Sequence, residues 1–366
     1  MAGAPRDNQW PGCAMARARI RVPLTSGDAR RSVARFGRSP RTAAVALLPA
    51  SAYGSEAWHS ARRAMVGASE MAAVLGISPY ASPFSMWWAK QEGWESEQTQ
   101  AMYIGHVLEP VIAKLFADVR PDLLVCRPMG SLWRHPDVDW VGCTPDYLAV
   151  AEDDNFDDVV YVEPVECKSD EGGRGWGRPG TGDVPDHHRV QVIQQCAVFG
   201  SPRGHLVRLA GKRLTAYVVE FDDAARVEWA EWLREGQSFV ASLETGVPPD
   251  VDGHKATTAA LQRLQPAVDD ASDELVADDV AAEYERLDDR VKATKAELER
   301  VKNVIRETLG DARYGLVAST GRRFVDRRVF KRREHYVPPS MVDAIYRVAA
   351  PGGPRHHTTH NDNNEE

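Results

Sequence analysis

From about residue 55 the chain switches repeatedly between helical and strand periodicities. Met71, Val74 and Leu75 fall on one face of a helix that begins at Ser69, read as its N-cap, and stops at Gly76 and Pro79. Ser82-Pro83 opens a second helix through Met86, Trp87 and Trp88, with proline in its first turn. Over 103–118, Ile104, Val107, Leu108, Val111, Ile112, Leu115 and Phe116 recur at helical spacing, which predicts a third helix burying that stripe. The period then shortens. Runs at 123–127, 131–134, 140–143 and 147–151 are apolar or alternating and are broken by Gly, Pro and Asp, as strands are. An acidic loop at 152–158 joins the last of them to a run at 159–168, which predicts a hairpin. Residues 169–185 are rich in Gly and Pro and read as a mobile loop. A helix over 186–199, strands over 204–210 and 214–221, and a helix over 222–245 complete an α+β core. The expectation is a mixed central sheet flanked by helices over 55–245.

Outside this core the pattern changes. Residues 246–275 read as a linker. A long helix is predicted over 276–309, because Tyr284, Leu287, Val291, Leu298, Val301 and Ile305 keep heptad a/d spacing, with Thr294 and Thr308 at two d positions. A hairpin around Gly321 carries Arg322, Arg323, Arg327, Arg328, Lys331, Arg332 and Arg333 and completes a segment reaching residue 350. The polar tail 351–366 is expected to be disordered, as is the extension 1–54. The first 50 residues hold nine arginines against two aspartates, so a DNA-gripping arm is the functional alternative to a plain tail.

Composition sets limits on function. The chain has 366 residues, 43% of them hydrophobic, enough for a sizeable core. No apolar run reaches 18 residues, and the N-terminus lacks the order of a signal peptide, so a cytoplasmic protein without a membrane span is expected. The five cysteines (Cys13, Cys126, Cys143, Cys167 and Cys196) stand singly, without disulfide or zinc spacing. The net charge of −8 does not decide for or against nucleic acid, since a DNA-contacting surface need be basic only locally.

The chemistry gathers in Thr144-Pro145-Asp146 and, twenty residues on, Glu166-Cys167-Lys168. In a strand Glu166 and Lys168 share one face and Cys167 points away. A hairpin returning from Asp146 brings its carboxylate beside Glu166. Two carboxylates and the Cys167 carbonyl make an oxygen-rich site for a hard divalent cation. The neighbouring ammonium suits it to phosphodiester hydrolysis. Glu109, on the third helix, adds a third carboxylate that could bind the cation directly, through water, or at a second position. Gln191, on the helix after the loop, could hold the lysine or a water. Singly these are weak signals, since an isolated E-x-K is usually a solvated charge pair. His106, His187 and His188 lack a ligand pattern, and the ten tryptophans suit a core better than base-stacking.

The ordered set resembles the PD-(D/E)xK nuclease superfamily and, within it, the lambda exonuclease and YqaJ-type viral recombinase family. The resemblance rests on the run from Trp58 through Arg62, Arg63 and Gly67 to Ser69-Glu70, then on Gly76-Ile77-Ser78-Pro79-Tyr80. Gly105 through Pro110, Thr144 through Asp146, Glu166 through Lys168, and Gln191 follow in the same order. It implies that Asp146, Glu166 and the Cys167 carbonyl ligate Mg²⁺ or its substitute Mn²⁺, that Glu109 completes the acidic cluster and that Lys168 positions the attacking water. It also implies that Arg62, helped by Ser69, receives the 5′-phosphate of a DNA end, with Arg63 the choice if the register slips by one. The implied activity is a 5′→3′ double-strand DNA exonuclease of phage or prophage origin. Such an enzyme leaves 3′ overhangs for a single-strand annealing protein, and the family assembles as a ring-shaped trimer. Two alternatives remain. A RecB- or Cas4-like nuclease would act on single strands or flaps, though no cysteine follows Cys196 to hold an iron–sulfur cluster. A non-catalytic DNA-end-binding protein would have little use for an intact Asp146, Glu166 and Lys168 set.

Overall fold

The computed structural model describes residues 42–94, 98–128, 130–152, 160–170, 175–267 and 272–327. These fall into two compact units divided at residues 268 and 269. None of the described helices is long and apolar enough to cross a membrane.

The first unit is built on a five-stranded mixed sheet. Strands β3 (Leu124–Cys126), β6 (Tyr147–Glu152), β7 (Val160–Ser169), β8 (Arg203–Ala210) and β9 (Arg213–Glu220) lie in that order. β6 and β7 form the expected antiparallel hairpin, with Tyr147 opposite Val165. β7 and β8 run parallel, with Glu166 opposite Leu206, and are joined through helix α5 (Asp186–Phe199). The sheet is covered on both faces, and the period-2 alternation sorts its side chains between them. Leu148, Val150, Val162 and Leu206 pack with Val190, Ile193 and Val198 of α5. Tyr147, Ala149, Val165, Cys167 and Val207 pack with Ile112, Ala113 and Phe116 of helix α4 (Gln100–Val119). On the α4 face the buried Glu163 carboxylate is met by Arg203 Nε at 2.9 Å and His205 Nε2 at 2.6 Å, so its charge is not left unpaired.

A second, four-stranded sheet lies in the order β1 (Val45–Pro49), β4 (Gly130–Arg134), β5 (Val141–Cys143) and β2 (Val66–Gly67). Gln194 of α5 fastens its parallel β2–β5 pair, donating to the carbonyls of Val66 and Gly142 at 2.9 Å each. Helices α1 (Glu56–Arg63), α2 (Ala68–Val74), α3 (Pro83–Glu92) and α6 (Asp223–Thr245) complete this part. The close seating of α5 on β8 depends on Gly204. A Cβ there would come within 2.6 Å of Val192 Cγ1 and 3.0 Å of Cys196 Sγ. Gly204→Ala is therefore expected to destabilise the unit by about 1–3 kcal/mol, read as a lower urea midpoint with unchanged slope.

Several expectations are corrected. The N-cap of α2 is Gly67, not Ser69. Glu70 reaches back to accept the Gly67 N–H at 2.8 Å, so the helix starts earlier and Ser69 is an exposed residue of its first turn. The stripe on α4 is only partly buried. Ile112 and Phe116 are inside and Leu108 is half-buried, whereas Ile104, Val107, Val111 and Leu115 are exposed. The basic extension is structured at its end, where β1 pairs with β4, while residues 1–41 lie outside the described ones. The linker holds helix α7 (Lys255–Leu264), whose Thr257 hydroxyl lies 2.6 Å from Ser82 Oγ at the cap of α3. Within the supposedly mobile loop, Gly180 N–H donates to the Ala216 carbonyl, and the Trp176 ring packs on Tyr217 under the Arg208 guanidinium. Cys126, Cys143, Cys167 and Cys196 are buried.

The second unit contains helix α8 (Asp278–Leu309) and a hairpin of β10 (Tyr314–Leu316) and β11 (Arg323–Asp326). Arg322, Arg323 and Arg327 of the basic run are described. Arg328, Lys331, Arg332, Arg333 and the tail lie outside the described residues.

Candidate active site

Asp146 stands just before β6, and Glu166 and Lys168 stand in β7. The hairpin register places them together. Glu166 faces α5, and Cys167 packs on the opposite side with the α4 cluster, as strand alternation requires. Asp146 Oδ2 accepts the Cys167 backbone N–H at 2.8 Å, which fixes its carboxylate beside the strand.

Glu166 is buried and held on both oxygens. Oε1 accepts from Lys168 Nζ at 2.7 Å and from Gln191 Nε2 at 2.6 Å, and Oε2 accepts from Gln195 Nε2 at 2.8 Å. Sequence reasoning found Gln191 but missed Gln195. The signal was available, because residues four apart on α5 share a face.

The electrostatics follow from two carboxylates sharing a poorly solvated site. Burial pushes the Asp146 carboxyl well above its ordinary range, and the Glu166 charge pushes it further. Glu109 is raised by burial. Its neighbour His106, whose Nδ1 lies 3.2 Å from Glu109 Oε1, opposes the shift, and the charge of Glu166 adds to it. Burial of Lys168 works against its ammonium, but Glu166 and Asp146 outweigh that and hold it above the usual lysine value. At the start of α5, burial and then the Lys168 charge push His188 down to about 2, and His187 is lowered for the same reasons, so both rings are neutral near pH 7.

This donor set fits a hard divalent cation. Two adjoining carboxylates, of which Asp146 is raised by burial and by the charge of Glu166, share the one ammonium of Lys168, and the adjoining strand supplies backbone oxygen. Among the described residues no three acidic, His or Cys side chains close into a cage by themselves. The fit therefore rests on Asp146 and Glu166 with the Cys167 carbonyl. Glu109, engaged with His106, contributes through its charge.

A second group of residues surrounds Arg62. Its guanidinium lies over the Trp58 ring, 4.7 Å from the centroid, and donates to Glu70 Oε1 at 3.1 Å. Glu70 Oε2 also accepts from Lys90 Nζ at 2.8 Å, and that buried ammonium donates to the Met65 carbonyl at 2.6 Å. Burial opposes the Glu70 charge, but Lys90 and Arg62 outweigh it and hold the carboxyl below its ordinary range. Only one of the five guanidinium donors is taken by Glu70. Ser69 is exposed in the adjoining first turn of α2, and Arg63 is exposed on α1. Tyr53 joins the two groups. Its ring lies 4.8 Å from Trp58 and 6.0 Å from His106, stacked at 12° on the latter. Burial raises its hydroxyl pKa, with the charges of Glu109 and Asp146 adding and that of Arg62 opposing. Tyr53 and Lys90 carried no sequence signal of their own, and Glu70 stood in the Trp58–Glu70 run without a role.

The chain is 24% identical over 283 residues to the uncharacterized protein YqaJ of Bacillus subtilis (strain 168), covering 72% of this chain and 80% of that one. Among solved structures it resembles LHK-Exo in complex with dAMP, at 21% identity and a TM-score of 0.40 over 58% of this chain and 100% of that one. The alkaline exonuclease LHK-Exo from Laribacter hongkongensis matches at 22% identity and a TM-score of 0.39 over the same shares. A family model matches residues 57–202, which contain Arg62, Glu109, Asp146, Glu166, Lys168 and Gln191. That model describes a YqaJ-like viral recombinase domain, which this segment of the chain resembles.

Proposed function

We propose that this chain is a divalent-metal-dependent exonuclease that degrades double-stranded DNA 5′→3′ and leaves 3′ overhangs for recombination through a single-strand annealing protein. The observation that carries the reading is the convergence of Asp146, Glu166 and Lys168 at one strand end, with Gln191 and Gln195 fixing Glu166. The viral recombinase family supports the recombination role.

Asp146, Glu166 and the Cys167 carbonyl would hold Mg²⁺ or Mn²⁺. When bound, the cation supplies Lewis acidity toward the phosphate and lowers the pKa of water. Gln191 and Gln195 hold Glu166 in one orientation through packed amides. Lys168 offers N–H donors beside Glu166 to orient a water toward phosphorus and to offset charge growing on the phosphate oxygens. Arg62, pre-set on Trp58 by Glu70, presents its fork to the terminal 5′-phosphate, and Ser69 adds a hydroxyl.

Digestion of linear duplexes with 5′-phosphate or 5′-hydroxyl ends, with Mg²⁺ or with EDTA, tests the reading. The expected result is loss of the 5′ strand only with metal, and faster on phosphorylated ends. Arg62→Ala is expected to erase the end preference, about 10-fold or more, while slow hydrolysis persists. Cleavage confined to single strands or flaps would favour another nuclease activity, and binding without cleavage would rule out an enzyme. A preference that survives Arg62→Ala would overturn the role of that residue.

A further inference from the structure

Helix α8 presents to solvent an apolar seam that its own unit does not cover. Tyr284, Leu287, Val291, Leu298 and Val301 are exposed by 40–71%, and no residue of the helix is buried. Leu287, Val291, Thr294 and Leu298 line one shallow groove, bordered by Arg290 and Lys295. A helix of 32 residues is about 48 Å long, and an apolar seam repeating every 3.5 residues along it matches a second helix with the same repeat.

The flanking charges select the partner and its direction. With Tyr284, Val291, Leu298 and Ile305 at a, and Leu287, Thr294, Val301 and Thr308 at d, the g positions are Glu283, Arg290, Glu297 and the uncharged Val304. The e positions are Asp288, Lys295, Lys302 and the uncharged Leu309. In a parallel pair each g residue faces the e residue of the next heptad. Glu283 would meet Asp288 and Arg290 would meet Lys295, both like-charged, leaving only Glu297 with Lys302 favourable. In an antiparallel pair g faces g and e faces e.

When two copies overlap about the midpoint between Lys292 and Ala293, Leu298 lies opposite Leu287, Tyr284 opposite Val301 and Val291 opposite Thr294. Arg290 of each copy then faces Glu297 of the other, twice by symmetry, and Asp288 falls between Lys295 and Lys302. A slip of one heptad either way brings Glu297 against Glu297 or Arg290 against Arg290. Among the described residues Asp288 and Glu297 pair only within the helix, with Lys292 and Arg300, on its exposed surface, where such pairs contribute little.

We propose that α8 is a self-association element that pairs with α8 of a second copy as an antiparallel two-stranded coiled coil in this register. It does not depend on the nuclease reading.

Sedimentation equilibrium of the full chain tests it. The wild type is expected to show a concentration-dependent doubling of mass that Leu298→Asp removes; Leu298 is exposed, so the fold tolerates the change. Arg290→Glu is expected to weaken the step about tenfold or more, and Arg290→Glu combined with Glu297→Arg to restore it to within about threefold. A wild-type mass equal to that of Leu298→Asp at all concentrations overturns the proposal. So does tighter association of Arg290→Glu, the result a parallel pair gives. Loss of DNA affinity in Leu298→Asp without a change in mass would assign the seam to DNA and overturn it as well.

Discussion

Lys168→Ala is expected to lower metal-dependent cleavage of linear duplex by about 10²–10⁴-fold while affinity for DNA ends changes by no more than about threefold. The asymmetry follows from where the ammonium stands. Nζ donates to Glu166 Oε1 at 2.7 Å, and the side chain is still 24% exposed toward the open end of the site. One donor is used by Glu166, and the other two are available to a water or a phosphate oxygen. Glu166 and Asp146 keep this lysine protonated beyond its usual range, so it acts as a donor and a charge, not as a base. The cleavage profile should accordingly show no break from Lys168 between pH 6 and pH 9. Glu166 retains Gln191 and Gln195 in the variant, so circular dichroism should report a folded protein. Measured binding that falls as far as cleavage would make Lys168 a structural residue and remove it from the chemistry.

The sequence made the sheet and the acidic centre legible where one strong periodicity governed. Alternation along β7 put Glu166 and Lys168 on one face, and the turn chemistry before β6 put Asp146 beside them. It misled where tertiary context decided. The segment 246–275 has a short helical stretch flanked by Pro and Gly, and long-range contacts make α7 part of the fold: Thr257 with Ser82, and the Arg263 guanidinium over the Trp94 ring. The apolar stripe of α4 is wider than the sheet it covers, so half of it stays outside. Gly67 is a better start for α2 than Ser69 because Glu70 stands three residues after it and reaches back to its N–H, whereas the third residue after Ser69 is Ala72, which has no group to do so. Gln191, Gln194 and Gln195 of α5 are polar, and local pattern alone does not bury them. They are buried because each amide has a long-range partner, the Glu166 carboxylate or the backbone of β2 and β5. Tyr53 was invisible because its place depends on β1 joining β4, which no local pattern announces.

Asp146→Asn is expected to abolish cleavage and, without metal, to raise the melting temperature at pH 8 by about 2–4 °C, the shift that ~1 kcal/mol produces in a domain of this size. Asp146 has a raised pKa in the folded chain, first from burial and then from Glu166. The folded state therefore holds this proton to higher pH than the unfolded chain does. The stability linked to the group is fully present below the ordinary carboxylate pKa. It is lost as pH rises toward the raised folded value. At pH 8 the charged Asp146 works against folding, and asparagine removes that charge while its amide oxygen can still accept the Cys167 N–H. The melting gap between variant and wild type should open as pH rises from 4 to 8. Mg²⁺ should reverse the order, since a cation held by Asp146 and Glu166 stabilises the wild type by about 2.7 kcal/mol at a hundred times its Kd and has lost a ligand in the variant. If Asp146→Asn melts lower than the wild type at pH 8 without metal, the carboxylate is satisfied by its own surroundings and the argument for a cation between Asp146 and Glu166 fails. Destabilisation by the charged Asp146 without metal, reversed when Mg²⁺ is added, is the behaviour expected of a cation site and not of a structural ion pair.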